Sequence, residues 1–325
     1  MADKVRVWQA SDVGAPLTLA QAPRPEPQAG EVRIRVRACG LNFADTLMLR
    51  GRYQEAPPIP IVPGMELSGR VETLGPEVSQ PPVGTRVAVY AGYGGLAEAV
   101  CVPAAACVPV PDTIDMETAA AFQIVYGTAH LALARRAGLQ PGERLVVTGA
   151  AGGTGLATVQ IGALLGAEVI AIARGAEKLE IARQAGATHT LDASTEDLRT
   201  AIKDLGGADV VVDTVGAPLW DAIFRAANPE ARLFPIGFAG GTVPELRANH
   251  LLVKNLTICG FYWGGYLRFA PRALADSLGQ VLDWMSSGAL TLRIGTHLPF
   301  EEAVAGLDLL RDRKATGKIV VTFPE

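Results

Sequence analysis

Val32-Arg-Ile-Arg-Val-Arg alternates apolar and charged residues, the two-residue period of a strand with one face in water. It lies in a stretch ahead of residue 120 where short β-prone runs are broken by turn chemistry. The breaks fall at Pro23 to Gly30, Pro57-Pro58, Pro63-Gly64, Gly75-Pro76, Pro81-Pro82 and Pro109 to Pro111. Punctuation of this kind predicts an irregular barrel or sandwich of many short strands. After residue 120 the prolines thin out and the pattern changes. Strands are expected at 144–148, 168–173, 188–191, 209–213, 232–236 and 256–259. Helical segments alternate with them at 156–165, 176–185, 195–205 and 219–227. Apolar strands alternating with helices predict a parallel sheet covered on both faces. Residues 272–286 and 301–312 then read as helices, and Lys318-Ile-Val-Val-Thr-Phe as a closing strand.

The chain's 325 residues give room for two domains and a substantial core. Apolar residues are 49%, charged residues 19%, and the formal charge is −4. That balance excludes a disordered, collagenous or coiled-coil chain. With no basic block, it also argues against nucleic acid as the main partner. Four cysteines, Cys39, Cys101, Cys107 and Cys259, form no C-x-x-C pair. They read as buried free thiols in a reducing compartment. The opening Met1-Ala-Asp-Lys-Val-Arg-Val carries charge where a secretory leader needs an apolar run, so a cytoplasmic protein is expected. Leu145 to Ala167 is 23 residues without a charge, long enough to span a bilayer. Its clustered glycines follow a short β-prone run and precede a helical pattern, which favours strand, turn and helix over a membrane span.

That turn carries the strongest chemical signal. Ala150-x-Gly152-x-x-Gly155 fits the G-x-G-x-x-G dinucleotide fingerprint with alanine at its first position. Small residues let backbone amides of Ala151, Gly152, Gly153, Thr154 and Gly155 approach a pyrophosphate, and a helix amino terminus favours its charge. Thr148-Gly149-x-x-x-Gly153-x-Gly155 also matches the loop of short-chain dehydrogenases. Those enzymes place it near the amino terminus with a Tyr-x-x-x-Lys pair, and no tyrosine here has lysine four residues on. Nineteen residues past Gly155 stands Arg174, with Lys178 a helical turn later and no acid between Glu168 and Glu177. An NAD enzyme would carry an acid there for the ribose hydroxyls. A guanidinium suits a 2′-phosphate, so the expected cofactor is NADP (NADPH). The plainer alternative makes both residues surface charges.

Cys39-Gly-Leu-Asn-Phe-Ala-Asp45, Val62-Pro-Gly-Met-Glu-Leu-Ser-Gly69, Tyr126-Gly-Thr128, the Ala150–Gly155 loop with Gln160, Asp213-Thr-Val-Gly216 and Arg313-Lys-Ala-Thr-Gly-Lys318 together give the chain a resemblance. It resembles, over essentially its whole length, the zinc-free quinone oxidoreductase (zeta-crystallin-like) branch of the medium-chain dehydrogenase/reductase superfamily. The resemblance implies an α/β fold: a Rossmann doubly wound parallel sheet over 122–262, and a β-rich, irregular-barrel GroES-like catalytic domain over 1–121 and 263–325. Zinc dehydrogenases of the superfamily have cysteine where this chain has Asn42 and histidine where it has Met65, so no metal is expected. Asn42 would sit beside the nicotinamide ribose, Asp45 would support that loop, and Tyr53 would line the pocket. Thr128 and the Tyr126-Gly turn would contact the nicotinamide side. Gly237-Phe238 and Phe261-Tyr-Trp263 would run along the cofactor, and Arg313 would turn toward the 2′-phosphate. Plainer readings stand beside these. Asp45 caps a helix, Tyr53 is a core aromatic, and Phe261 and Trp263 serve packing or a subunit contact.

Without a metal, a quinone or enone suits the site, because its conjugated system spreads the incoming charge. The expected activity is an NADPH-dependent quinone oxidoreductase. An enoyl-thioester reductase and a non-catalytic NADPH-binding protein are the alternatives. The apolar run Leu256 to Trp263 reads as an edge strand and predicts a homodimer.

Overall fold

The computed structural model describes residues 3–217 and 219–324; Met1 and Ala2 of the amino-terminal run thus lie outside the described residues. The chain divides into two compact units. One runs to Ile124 and resumes at Leu292, and the other is Val125–Thr291.

The strands in chain order are β1 (Lys4–Gln9), β2 (Thr18–Pro23), β3 (Glu31–Leu41), β4 (Glu66–Leu74), β5 (Arg86–Tyr90), β6 (Ala99–Pro103) and β7 (Cys107–Pro109). Next come β8 (Arg144–Thr148), β9 (Glu168–Ala173), β10 (His189–Asp192), β11 (Ala208–Asp213), β12 (Ala227–Pro235) and β13 (Thr257–Ile258). The last two are β14 (Ile294–Pro299) and β15 (Lys318–Thr322).

In the first unit β1 and β2 pair by themselves, and seven strands form a second sheet. Its order is β14-β15-β3-β4-β5-β7, with β6 also on β3. The eleven-residue β3 serves two partners along one edge: Glu31–Arg35 pair with β6 and Ala38–Leu41 with β15. Its alternation is realised in burial, with Val32, Ile34 and Val36 inside. They pack with Leu67, Val71, Val87, Val89, Ile319 and Val321 in one cluster. All charged neighbours on β3 keep at least part of their side chains in water, as the two-residue period requires.

The second unit holds a parallel sheet in the order β10-β9-β8-β11-β12-β13. Counted within the unit this is 3-2-1-4-5-6, the doubly wound arrangement whose strand order reverses between β8 and β11. The predicted spans of β8 and β9 coincide with the observed ones, because fully buried strands flanked by glycines leave little freedom of placement. The uncharged stretch 145–167 resolves into the rest of β8, a turn and the helix Gly153–Leu164. No helix among the described residues is long and apolar enough to cross a membrane.

The domain expectation needs one correction. The chain returns to the first unit at Leu292, not at residue 263. The helix Pro271–Ser286 stays with the second unit, where its Ser277 Oγ lies 2.8 Å from His130 Nδ1 and Trp284 meets the same imidazole edge-on at 5.2 Å. An amphipathic pattern shows that a helix has an apolar face, but not which sheet covers it. A second correction concerns the thiols: Cys39 and Cys259 are buried, whereas Cys101 and Cys107 are half-buried.

Candidate active site

In the first unit, β3 ends in a loop where Asn42 caps the short helix Phe43–Met48. Asp45 is not the cap. It stands three residues in, and its carboxylate reaches back to accept from the Asn42 backbone N–H at 2.8 Å, with Gly64 N–H donating to its other oxygen at 2.9 Å. It thereby pins the helix start to the Val62–Gly64 loop. Burial pushes the Asp45 carboxyl up to about 6, against the downward pull of those two N–H bonds.

Two charged residues that the sequence reading passed over complete this cluster. Glu66, the first residue of β4, is 0% exposed, and Lys318, the first of β15, is 3% exposed. The Lys318 ammonium donates to Glu66 Oε1 at 2.7 Å, to Asn42 Oδ1 at 2.7 Å and to the Leu41 carbonyl at 2.9 Å. Asn42 Nδ2 donates to Glu66 Oε1 at 3.0 Å and to the Gly40 carbonyl at 3.2 Å. Ile124 N–H donates to the second Glu66 oxygen at 3.1 Å. Glu66 and Lys318 are paired with each other and further hydrogen-bonded, the condition under which ions persist inside a protein. Tyr53 is half-buried and packs on the cluster of Met48, Ile61 and Met65. Arg313 is exposed and takes the left-handed conformation (φ 58°) at the end of the helix Ala303–Arg311.

In the second unit the glycine turn joins β8 to the helix Gly153–Leu164. Gly149, not Ala150, has the left-handed backbone (φ 59°) that makes the turn, so the working fingerprint begins one residue earlier than the sequence suggested. Gly155 lets the helix close on that turn: a Cβ there would sit 2.1 Å from the Gly149 carbonyl oxygen. Gly152 caps the helix, and a Cβ on it would meet only that oxygen, at 3.3 Å. Ala151 is buried, whereas Gly153 and Thr154 are partly open at the helix start. The turn is braced from β11. Buried Asp213 accepts from Thr148 Oγ1, from Val215 N–H at 3.0 Å and from Gly216 N–H. Burial raises its pKa against those bonds.

Arg174 follows β9 and is exposed, with Lys178 half-buried on the next helix. Gly237 and Phe238 follow β12, the latter 39% exposed. The loops after β8, β9, β11 and β12 all leave the carboxyl ends of a parallel sheet, and the strand order reverses between β8 and β11. Ligands of such sheets bind there. The sequence missed Asp192 at the end of β10. Its carboxylate accepts from Gly175 N–H and Ser194 N–H, each at 2.8 Å, and from Ser194 Oγ at 2.5 Å. Those bonds, the Ser194 hydroxyl first, hold it below the usual carboxylate range, and the Arg174 charge adds to them.

Other expected contacts have different surroundings. Tyr126-Gly-Thr128 is part of the helix Gln123–His130, not a turn. The Tyr126 hydroxyl lies 2.6 Å from Gln160 Oε1 and 3.1 Å from the Thr291 carbonyl, so it ties elements of its own unit together. Thr128 is half-buried on that helix. Trp263 is 5% exposed and lies against Gly127, where a Cβ would come within 2.4 Å of its indole nitrogen. Phe261 is half-buried and packs on Tyr266 at 5.7 Å.

Comparison with known proteins agrees with this geometry. An alcohol dehydrogenase GroES-like domain matches residues 28–112, and a zinc-binding dehydrogenase domain matches 153–286. Quinone oxidoreductase-like protein 2 of Bos taurus is 38% identical over 96% of this chain and 91% of its own length. Its homolog in Nematostella vectensis is 37% identical over 97% and 88%. The chain belongs to the quinone oxidoreductase branch of the medium-chain dehydrogenase/reductase superfamily. Among solved members of this branch, the quinone oxidoreductase of Thermus thermophilus, also solved in complex with NADPH, is 36% identical with a TM-score of 0.86, covering 98% of this chain and 99% of that one.

The name of one matched domain implies zinc, and the residues of this quinone oxidoreductase relative do not fit one. A catalytic zinc needs three protein ligands of nitrogen, sulfur or carboxylate type. Both oxygens of Glu66 and both of Asp45 are taken by internal donors, and the cation beside Glu66 is the Lys318 ammonium. Burial raises the Cys39 thiol well above its ordinary pKa, away from the thiolate a metal requires. Among the described residues no three metal-ligating side chains come together. A dinucleotide does fit: the open Gly152 cap, the helix start and Arg174 supply amides and a cation for phosphate groups.

Proposed function

We propose that this oxidoreductase is a cytoplasmic, zinc-independent NADPH:quinone reductase acting on a quinone or a similar conjugated carbonyl. The observation that carries the reading is the Lys318 ammonium on Glu66, a cation of the chain's own where a metal ligand would otherwise be free, so the site suits an acceptor that spreads its own charge. NADPH, when bound, supplies the hydride. Amides of Ala151, Gly152, Gly153, Thr154 and Gly155 hold its pyrophosphate, while Arg174, Lys178 and Arg313 hold the 2′-phosphate. Asn42 and Thr128 orient the nicotinamide half, Gly237, Phe238, Phe261 and Trp263 flank it, and Tyr53 lines the substrate pocket. The complexed relative from Thermus thermophilus supports the cofactor assignment.

The test is NADPH oxidation against a naphthoquinone, an alkenal and crotonyl-CoA, with and without a chelator. The naphthoquinone is expected to react fastest, with a rate indifferent to the chelator. A preference for crotonyl-CoA would make the protein an enoyl-thioester reductase. Binding without turnover on any of the three would make it a non-catalytic NADPH-binding protein. Loss of activity to the chelator with recovery on adding zinc would end the zinc-independent reading.

We also propose a homodimer formed through β13. This strand is the outer member of its sheet, and an outer strand offers unpaired backbone groups to a twin related by a two-fold axis. Sedimentation at micromolar concentration should report twice the 34.0 kDa chain mass; a monomer counts decisively against it.

A further inference from the structure

The Asn42 amide has one possible orientation. Lys318 Nζ can only donate, so the atom 2.7 Å from it is oxygen. The Glu66 carboxylate can only accept, so the atom 3.0 Å from Oε1 is the amide nitrogen. Both amide hydrogens are consumed, on Glu66 and on the Gly40 carbonyl. All three ammonium hydrogens are consumed as well, on Glu66, Asn42 and the Leu41 carbonyl. Glu66 is sealed from solvent, whereas Asn42 keeps 8% of its surface open. What the cluster has left to offer is one lone pair on Asn42 Oδ1.

We infer that Lys318 and Glu66 are positioning residues that lock Asn42 as a hydrogen-bond acceptor, so that Asn42 takes a hydroxyl of the bound nucleotide and cannot donate to the carbonyl being reduced. The inference rests on the NADPH reading above for the identity of that hydroxyl, which belongs to the nicotinamide ribose. A buried ion pair is a poor stabiliser by itself, because desolvation offsets much of the attraction. Held across strands 252 residues apart in sequence, it accounts for itself better as an orienting device. Without the ammonium, Oδ1 loses its fixed donor and the amide is held only through its nitrogen, on Glu66 and the Gly40 carbonyl, so its oxygen is no longer held in place for the ligand's hydroxyl.

The test compares affinity for NADPH with affinity for 2′,5′-ADP, the half of the cofactor that lacks the nicotinamide ribose. Lys318→Met should weaken NADPH about tenfold, the worth of one such bond, and leave 2′,5′-ADP unchanged. Lys318→Arg, which keeps the cation, should recover most of the loss. Removing one partner of a buried pair is disruptive, so the charge-neutral Glu66→Gln/Lys318→Met double variant serves if the single one does not fold, with the same expected split. Equal affinities for NADPH in wild type and variants, or equal loss of both ligands in a folded variant, overturns the inference. So does a quinone KM that rises while NADPH affinity stays put, since Asn42 would then be donating to the substrate. A wild type that binds 2′,5′-ADP and NADPH equally poorly fails at the cofactor reading itself, and the inference falls with it.

Discussion

Gly155→Ala is expected to cost about a hundredfold in NADPH affinity and to lower stability by about 1–3 kcal/mol. The added Cβ would lie 2.1 Å from the Gly149 carbonyl oxygen and 2.7 Å from its carbon, with Ala150 Cα at 3.0 Å. All three are backbone atoms, so no side-chain rotation relieves the overlap. The helix start must move off the turn. Overpacking of this kind costs about 1–3 kcal/mol, and a displacement near 1 Å of a positioned group costs on the order of a hundredfold in function. Gly152→Ala is the contrast, because its Cβ meets only one atom at 3.3 Å. That variant should melt near the wild type and still bind NADPH poorly, since its methyl occupies the open cap where the pyrophosphate approaches. Thermal unfolding and a fluorescence titration with NADPH read both quantities. A Gly155→Ala protein with wild-type melting and wild-type affinity would show that the turn does not hold the cofactor.

Arg174→Ala is expected to raise the NADPH KM ten- to a hundredfold while leaving that of NADH nearly unchanged. A charge-assisted bond to the 2′-phosphate contributes about 1.5–3 kcal/mol, and each 1.4 kcal/mol is a factor of ten. The residue is exposed at the end of β9, so nothing in the fold should depend on it. Asp192, whose carboxyl feels the Arg174 charge, is committed to Gly175 and Ser194, and stays ionised at neutral pH because those bonds favour the carboxylate. Once the guanidinium is gone, that negative charge is offset at the phosphate only by Lys178 and Arg313, and it adds to the discrimination against NADPH. Steady-state kinetics with both cofactors decide the matter. Equal weakening of both would make Arg174 a support for the loop, and a wild type that already prefers NADH would reverse the cofactor assignment.

The glycine turn was legible in the sequence because its chemistry is local: strand, turn and helix sit within a dozen consecutive residues, and each leaves its own mark. The place of Arg174 at the end of β9 was legible for the same reason, being a fixed distance down the same β-α-β unit. Glu66 and Lys318 were not. Glu66 stands between Met65 and Leu67, and Lys318 opens an apolar strand. Each is a lone charge among buried positions, and that was the signal to follow. Their meeting is decided by β15 pairing with β3 and β4 pairing with β3 on its other side, which no local pattern contains. The same limit misplaced the helix Pro271–Ser286, whose apolar stripe was evident but whose partner, His130, lies far upstream. Which residue made the turn was a matter of backbone sign: Gly149 takes φ above zero, where the Cβ of Ala150 would be strained.

β15, the strand that completes the first unit, also sets an order of assembly during synthesis. Val125–Thr291 is one uninterrupted stretch of chain and can fold as soon as it has left the ribosome. The seven-stranded sheet cannot. Until β15 emerges, Ala38 to Leu41 of β3 lack their partner, and Glu66 waits in an apolar setting for its cation. A nascent chain therefore carries an open sheet edge and an unpaired buried acid while its other half is already formed. A chain released after Thr291 but short of Lys318 would carry a complete Val125–Thr291 unit beside a sticky, half-built neighbour, the form most in need of a chaperone.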